Sequence, residues 1–442
     1  MAGSLLTDLY ELNMASSYLR RGMTGTATFS LFIRQLPAGR AFLVAAGIDE
    51  CLSWLEELCF EQEELEYLSG LGFDDESIEA FGRLRFTGDV WAVPEGRIVF
   101  AGEPLAEVSA PIAEAQLPET FLLNKLTFNT AVASKAARCR LAAGTKVGLV
   151  EFGFRRTQGI EAAMGVARVS AMVGFGATSN VEACRLFGLT AAGTMAHSYI
   201  EAFPTEREAF RAFASDLPGA ATFLVDTYDT AEGVGNAIEV TKELGIEERA
   251  GIRLDSGDLV SSAFEARRLL DEAGLRGVRI FVSGGLDERD IARLIEAGAP
   301  IDAVGVGTRL GVSADAPYLD SAYKLVDYDG RPVMKLSVGK VTLPGAKQVF
   351  RAPGMQDVLG LRSEPAPGGS EPLLEHVMSQ GRRLAAPATL ESSRARFERD
   401  LGQLPVSLTD LDAPSGKGPE VSAALRALSE RATANARRAG GS

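Results

Sequence analysis

The feature that most constrains the fold is an alternation of short apolar runs and amphipathic stretches between residues 146 and 306. The apolar runs predict strands, and the stretches between them carry the three- and four-residue spacing of helices. Strands joined by helices run parallel, because a helical crossover returns the chain to the same edge of the sheet. The predicted strands cover 147–152, 174–177, 189–192, 222–225, 251–254, 278–282 and 301–306. About seven such strands predict an α/β fold with an irregular βα barrel.

The segments on either side of the alternation have a mixed pattern. The first part predicts a helix at 7–21, strands at 27–33 and 41–45, one or two acidic helices within 48–71, hairpins within 86–111 and a helix over 114–142. Beyond residue 311, strands at 322–327 and 332–338 flank an Asp-Gly turn, and helices follow residue 391.

These patterns predict four segments along the chain. They are an N-terminal α+β domain with hairpins and a leading helix (1–142), the catalytic barrel (143–320), a β-rich and then helical segment (321–412), and a linker with a peripheral helix (413–442). We expect the third segment to pack on the first, so that both ends of the chain build a second α+β domain.

Charge and composition exclude several classes of protein. A net charge of −14 disfavours a surface for nucleic acid or anionic membrane, because such binding depends on many Lys and Arg contacts. The longest apolar stretches, such as 41–48, are too short to span a bilayer, and the N-terminal residues lack the pattern of a basic region followed by an apolar one, so we expect a cytoplasmic protein. The four cysteines have no CxxC spacing, which indicates reduced thiols rather than zinc ligands or disulfides.

One of the two histidines in the chain, His197, follows a predicted strand within residues 193–198 (Gly-Thr-Met-Ala-His-Ser). The glycine lets the backbone turn, and the imidazole then lies beside the hydroxyls of Thr194 and Ser198. Such a histidine can exchange protons or a phosphoryl group. The alternative is a histidine that caps the next helix or satisfies a buried hydrogen bond.

In a βα barrel the loops that follow the strands converge on one face, so they are read as one constellation. The loops are 151–156, 193–198, 226–229, 253–258, 283–285 and 305–309. The two glycine-rich loops near the end of this series, 283–285 and 305–309, predict a phosphate site made of backbone N–H groups. Tight turns with no ligand are the alternative.

Charged residues also gather in these loops. Arg155, Arg156, Arg253 and Arg309 would favour an anionic ligand, although we expect two of the four to pair with neighbouring carboxylates. Asp226, Asp255 and Asp258 could bind Mg²⁺ and through it a pyrophosphate, although we expect one of the three to be only a helix N-cap.

Taken in order, these motifs resemble the nicotinate phosphoribosyltransferase family. The resemblance covers residues 5–310 and is carried by 6–10, 151–156, 176–181, 193–198, 253–258 and 305–309. It implies the type II phosphoribosyltransferase architecture and a homodimer with shared active sites. It also implies an enzyme of NAD salvage that makes nicotinate mononucleotide and pyrophosphate from nicotinate and 5-phosphoribosyl 1-pyrophosphate, coupled to ATP hydrolysis.

The same resemblance implies roles for individual residues. His197 matches the histidine that ATP phosphorylates, and it is expected to be catalytic together with Arg253 and Asp255. Phe152 and Tyr10 match the aromatic pair that holds the pyridine ring, with Tyr10 from the other subunit. Arg253 and Thr194 are implied as partners of nicotinate, and Asp226 and Asp255 lie near the ribose and Mg²⁺. The remaining implied substrate-binding residues are Arg155, Ser256, Gly284, Gly285, Gly305, Gly307 and Thr308.

Two kinds of rival remain open. An enzyme that uses nicotinamide or quinolinate would share the architecture, although the histidine loop and the absence of a denser basic cluster favour nicotinate. A catalytically silent barrel that binds a nucleotide is the rival from another class, and the complete set of His197, Asp255 and the glycine loops disfavours it.

Overall fold

The protein is described by a computed structural model that covers residues 3–217, 219, 221–336, 342–412 and 416–439. The chain forms two compact units. One contains 1–134 together with 318–442, and the other contains 135–317. The sequence predicts the barrel over 143–320, and the corresponding compact unit covers 135–317.

The helices are α1 Leu9–Arg20, α2 Ile48–Glu57, α3 Gln62–Gly70, α4 Asp75–Arg83, α5 Ile112–Gln116, α6 Glu119–Ala143, α7 Ile160–Met172, α8 Val181–Phe187, α9 His197–Glu201, α10 Glu206–Asp216, α11 Thr230–Leu244, α12 Leu259–Glu272, α13 Glu288–Glu296, α14 Thr308–Gly311, α15 Leu390–Gln403, α16 Val406–Thr409 and α17 Ala423–Ala439. A 3₁₀ turn covers Phe154–Arg156. Among the described residues, no helix is long and apolar enough to cross a membrane.

The strands are β1 Thr26–Ile33, β2 Leu43–Val44, β3 Asp89–Ala92, β4 Ile98–Val99, β5 Pro104–Pro111, β6 Gly148–Glu151, β7 Ala177–Thr178, β8 Thr222–Leu224, β9 Gly251–Leu254, β10 Arg279–Val282, β11 Ala303–Val306, β12 Ser321–Tyr328, β13 Arg331–Pro332, β14 Lys347–Ala352, β15 Gln356–Leu361, β16 Glu371–Pro372, β17 Glu375–Ser379, β18 Arg382–Arg383 and β19 Glu420–Val421.

The unit that contains 135–317 is built on a parallel sheet. In the described part of the chain the strand order is β7-β6-β11-β10-β9-β8, and helices connect successive strands. Apolar residues fill its strands, and Ile252, Leu254, Ile280, Val282 and Val304 are fully buried. Strands buried on both faces are typical of α/β proteins. The predicted α/β class is confirmed, and the carboxyl ends of all these strands meet at one edge.

One predicted strand of this series is wrong. Residues 189–192 form only a single bridge, between Ala191 and Thr178, fixed by hydrogen bonds from Thr178 N to Thr190 O (3.0 Å) and from Ala192 N to Thr178 O (2.9 Å). The side chains of Thr190 and Ala191 are exposed, so no burial on a second face favours a longer ladder. The residues that lead to His197 are therefore an extended loop.

The other unit contains an antiparallel sheet drawn from both ends of the chain. Its order is β13-β12-β1-β5-β3-β17-β18 among the described residues, and β1 pairs with both β5 and β12. The predicted hairpin forms where expected, because Asp329 (φ 52°) and Gly330 (φ 74°) adopt the left-handed conformation that a tight two-residue turn requires. The predicted strand 332–338 is wrong over 333–336, because β13 ends at Pro332. Residues 337–338 and part of the predicted linker 413–419 lie outside the described residues.

Two further predictions in this unit need correction. The runs within 86–111 do not form consecutive hairpins, because β3 pairs with β5 while β4 pairs with β2. The single helix predicted over 114–142 is two helices, α5 and α6, separated at Leu117 and Pro118. Proline has no amide hydrogen and its ring clashes with the preceding turn, so it starts the second helix rather than continuing the first.

Candidate active site

The loops after the parallel strands surround a cavity of about 340 Å³. It is lined by Phe152, Phe154, Arg155, Ser179, Gly193, Thr194, Met195, Ala196 and Arg253. The Phe152 ring meets the Phe281 ring edge to face, with centroids 5.6 Å apart. A Cβ on Gly305 would lie 2.8 Å from Phe152 Cδ2, so this glycine makes the space that the aromatic wall needs. The cavity therefore offers a flat apolar face beside polar and cationic groups.

Arg253, in β9, is the most highly connected side chain of the cavity. Its Nε donates to Ser283 Oγ (2.8 Å), Nη1 to Thr194 Oγ1 (3.1 Å) and Nη2 to Asp255 Oδ1 (2.6 Å). The guanidinium carbon lies 5.6 Å from the centre of the Phe152 ring. Because several acceptors fix the planar fork at once, the orientation of its charge is set before any ligand binds.

Asp226 and Asp255, which follow β8 and β9, are joined through the backbone. Asp226 Oδ2 accepts from the Asp255 amide (2.8 Å) and from Ser256 Oγ (2.7 Å). The other oxygen, Asp226 Oδ1, is buried and receives no hydrogen bond in the described part of the chain. A buried carboxylate oxygen without a partner is costly, so a ligand that contacts it would be favoured.

His197 begins the short helix α9 and lies half-buried beside the loop that follows β8. Its Nδ1 is 3.1 Å from Thr227 Oγ1. A hydroxyl can donate or accept, so Thr227 orients the ring without adding charge to it. The imidazole is thus held in place and is still partly open to solvent.

The glycine-rich loops occupy two different positions. Gly284 and Gly285 line a second cavity of about 400 Å³, together with Asp258, Arg293 and Arg309. Gly284 has φ 110°, and a Cβ there would lie 2.0 Å from the Asp255 carbonyl oxygen. Gly307 packs against the Phe152 backbone instead, and Thr308 begins α14 with an exposed side chain.

The four arginines divide as expected into two pairs. Arg309 Nη1 donates to Asp287 and Asp290 (2.9 Å each), and Arg253 is paired with Asp255. Arg155 and Arg156 are exposed and form no ion pair with the described residues. Arg155 lines the cavity, and its unpaired charge favours an anionic ligand there.

Asp258 is the expected N-cap. It accepts from Ser261 Oγ (2.6 Å) and from the first amides of α12, and these hydrogen bonds, that from the Ser261 hydroxyl first, lower its pKa. The described residues contain no cluster of three or more His, Cys, Asp or Glu side chains that could hold a metal by itself. Mg²⁺ commonly binds one or two carboxylates plus substrate phosphates, which fits Asp226 and Asp255 as the available pair.

Tyr10 belongs to α1 in the other unit, and its side chain is 45% exposed. Partial burial, followed by the charges of Glu119 and Glu11, raises its pKa above the ordinary value for tyrosine. Its hydroxyl is therefore neutral over the physiological range. The pairing of Tyr10 with Phe152 across subunits remains a prediction.

Three residues of the site were not singled out from the sequence. Ser283 forms a hydrogen bond with Arg253, and Thr227 forms one with His197. Glu151 accepts hydrogen bonds from Thr178 Oγ1 (2.5 Å) and from the Gly153 amide. Burial raises the pKa of Glu151, which holds the turn that presents Phe152. All three stand at strand ends, and that position is the signal that could have identified them.

Two protein-family models match the chain. Residues 5–127 match the nicotinate phosphoribosyltransferase (NAPRTase) N-terminal domain, and residues 147–340 match the nicotinate phosphoribosyltransferase (NAPRTase) family. The two matches cover the segments that carry the motifs and the lining of the cavity.

Individual relatives agree. The chain is 48% identical to the nicotinate phosphoribosyltransferase pncB2 of Mycobacterium tuberculosis, over 93% of this chain and 89% of that protein. It is 44% identical to the nicotinate phosphoribosyltransferase of Bacillus subtilis, over 79% and 73%. The crystal structure of human nicotinic acid phosphoribosyltransferase superimposes with a TM-score of 0.85 and 31% identity, over 96% of this chain and 99% of that one, which confirms the predicted irregular barrel with its second domain. The chain therefore belongs to the nicotinate phosphoribosyltransferase family.

Proposed function

We propose that the protein transfers the phosphoribosyl group of 5-phosphoribosyl 1-pyrophosphate to nicotinate, for the synthesis of NAD, and couples this transfer to ATP hydrolysis through His197. The observation that carries the proposal is the Arg253 network. It fixes a guanidinium beside an aromatic face and ties it to an oriented carboxylate, Asp255. An aromatic acid and an anionic sugar phosphate both fit this combination.

The transfer step needs positioning more than proton chemistry. The pyridine nitrogen of nicotinate carries a free lone pair, so no base is required to create the nucleophile. Phe152 would support the ring, while Arg253 and Thr194 would hold its carboxylate. As the bond to pyrophosphate breaks, positive charge develops at the anomeric carbon, and the carboxylates of Asp226 and Asp255 can stabilise it.

Mg²⁺ fits the same pair of carboxylates. The buried oxygen Asp226 Oδ1 lacks a hydrogen-bond donor among the described residues, and Asp255 uses Oδ1 for protein contacts. When bound, Mg²⁺ would neutralise charge on the departing pyrophosphate. The unpaired Arg155 would assist at the phosphoribosyl group, and Gly284 and Gly285 offer room for phosphate beside Arg309.

His197 is proposed as a phosphoryl carrier. An imidazole nitrogen attacks the γ-phosphorus of ATP, a nitrogen–phosphorus bond forms, and ADP leaves. Water later attacks the phosphorus, orthophosphate is released, and the nitrogen recovers its electron pair. The half-buried position of the ring and its contact with Thr227 support this role, because a neutral hydroxyl orients the imidazole.

A homodimer with shared active sites completes the proposal, with Tyr10 of one subunit facing Phe152 of the other. The exposure of Tyr10 supports this arrangement.

The substrate is tested by comparing nicotinate, nicotinamide and quinolinate as acceptors, each with and without ATP and Mg²⁺. We expect pyrophosphate release with nicotinate alone, and faster release when ATP is present. Faster turnover of nicotinamide or quinolinate would overturn the substrate assignment. No release with any acceptor, while nucleotide binding is retained, would favour a silent barrel.

The carrier role is tested with labelled ATP and the His197→Ala variant. Acid-labile phosphate should appear on the parent protein and be absent from the variant, whose ATP stimulation should also be lost. His376→Ala is the matched control, because the other histidine stacks on Trp91 with ring centres 4.2 Å apart in the unit that lacks the cavity. Label that persists in His197→Ala would refute the role.

A further inference from the structure

Ser283 closes a ring of hydrogen bonds between Arg253 and Asp255. Its Oγ accepts from Arg253 Nε (2.8 Å) and lies 2.5 Å from Asp255 Oδ1, which also accepts from Arg253 Nη2 (2.6 Å). A guanidinium can only donate, and a hydroxyl has a single hydrogen. The Ser283 proton must therefore point to Asp255.

Because the Ser283 proton points to Asp255, the two carboxylate oxygens of Asp255 have different roles. Oδ1 accepts two hydrogen bonds, one of them from the cationic guanidinium, and is committed to the protein. Oδ2 receives no hydrogen bond in the part of the chain that the structure describes. Because the Asp255 side chain is 30% exposed, Oδ2 remains available to a ligand.

The backbone fixes Ser283 in this position. Its amide donates to the Leu254 carbonyl (2.9 Å), and the side chain is buried. The next residue, Gly284, approaches the Asp255 carbonyl so closely that a Cβ would lie 2.0 Å from it. The loop after β10 therefore holds Asp255 by both its side chain and its main chain.

We propose that Ser283 is a positioning residue that keeps one oxygen of Asp255 directed to the metal-bound ribose donor. The inference rests on the proposed function, in which Asp255 binds Mg²⁺. Without the hydroxyl, the carboxylate can rotate and Arg253 Nε loses an acceptor, so both groups lose their fixed orientation. Loss of a residue that orients a metal ligand typically weakens metal binding by roughly 10- to 100-fold.

The experiment measures Mn²⁺ binding by electron paramagnetic resonance in the presence of inorganic pyrophosphate. It compares the parent protein with Ser283→Ala, with Ser283→Cys, which keeps the volume but donates a weak hydrogen bond, and with Ser283→Thr, which keeps the hydroxyl. We expect Ala and Cys to raise the dissociation constant about tenfold or more, and Thr to stay closer to the parent. The KM for the ribose donor should rise in parallel, while the ratio of rates with and without ATP stays unchanged.

Ser262→Ala is the matched control, since this serine of α12 makes no side-chain hydrogen bond with the described residues, and it should bind Mn²⁺ like the parent. If Ser283→Ala does not fold, the Cys variant decides the question. Parental Mn²⁺ binding by folded Ala or Cys variants would overturn the inference. A parent that binds Mn²⁺ with pyrophosphate but makes no nicotinate mononucleotide would refute the proposed function, and the variants would still decide the role of Ser283.

Discussion

At the scale of single residues, the protein orients the central guanidinium of the site before a ligand binds. Arg253 donates to Ser283, Thr194 and Asp255, so its orientation costs little when substrate arrives. The sequence predicts that Arg253 and Asp255 belong to the site, because they are charged residues at the end of a predicted strand. It does not predict that Ser283 bonds Arg253 and Asp255, or that Thr227 bonds His197, since these pairings depend on the packing of neighbouring loops.

Gly284 and Gly285 form a natural pair for a test at this scale. Gly284→Ala brings a Cβ within 2.0 Å of the Asp255 carbonyl and strains a φ of 110°, so we expect a loss of roughly 100-fold in kcat/KM and a lower unfolding midpoint. Gly285→Ala meets no atom within 4 Å and should cost only about 1 kcal/mol of stability from its φ of 71°. Steady-state kinetics and thermal unfolding check both variants. Equal kinetic losses would argue against the specific contact with Asp255.

Thr227 gives a second prediction. Thr227→Val keeps the shape but removes the hydrogen bond to His197, and a net loss of about 1 kcal/mol would slow phosphorylation of the histidine roughly fivefold. Transfer without ATP should change little. Rapid-quench measurement of label incorporation checks this, with Thr227→Ser as the variant that retains the hydroxyl. A Val variant that is phosphorylated at the parental rate would show that Thr227 does not orient the ring.

At the scale of elements, the periodic segments are predictable and the interruptions are less so. The limits of α11 and β9 coincide with the sequence pattern, because apolar spacing and N-cap residues such as Asp229 act locally. Residues 189–192 have the composition of a strand, but a longer ladder needs a partner strand, which the sequence alone does not show. Pro118 indicates the break between α5 and α6, but the helical pattern continues on both sides of it and predicts a single helix.

Contacts between elements also predict a pH effect. Glu11 of α1 accepts from the amide and hydroxyl of Thr120 (3.0 and 2.7 Å), at the start of α6, and its burial raises its pKa to about 7. A carboxyl whose pKa is raised on folding contributes stability that is complete below its unfolded pKa, near 4.5, and is lost as the pH rises towards 7. Glu11→Gln is neutral at every pH. Its unfolding midpoint relative to the parent should therefore increase between pH 4.5 and 7.

The measurement is a series of thermal unfolding curves at constant ionic strength. Glu64→Gln is the control, because this half-buried carboxylate at the start of α3 accepts a hydrogen bond from a single backbone amide, that of Glu61 (2.9 Å). The control should show no comparable trend. A difference between Glu11→Gln and the parent that does not change with pH would contradict the assignment.

At the scale of the whole molecule, one unit is built from both ends of the chain, and the middle of the chain forms the other unit. Strands β1 and β12 are neighbours in one sheet although they lie on either side of the 135–317 unit in sequence. The mixed patterns at both ends predict such a shared domain, but the register between its strands depends on contacts that no local pattern encodes. Net charge adds a constraint at this scale. In a protein with charge −14, the exposed Arg155 and Arg156, which form no ion pair with the described residues, provide local positive charge that can attract an anion.

The proposed shared site predicts the behaviour of mixed subunits. Tyr10→Ala and Phe152→Ala should each have very low activity alone, because each removes one face of the ring site. A hybrid dimer would contain one site with both aromatic residues, so equal mixing should restore about a quarter of the parental activity. Activity measured after mixing and re-association, with native mass spectrometry to count hybrids, checks this. Hybrids without activity would indicate a site made within one chain.

The close approach of Gly284 to Asp255 also has a genetic consequence. Every change of the first or second base of a glycine codon that does not end translation introduces a residue with a Cβ, and each such residue would meet the Asp255 carbonyl. We therefore expect any amino-acid change from a single-base mutation at position 284 to disrupt the site. Gly285 faces open space and can accept some of the same changes. A library selected for growth that depends on nicotinate should recover variants at 285 and silent codons only at 284.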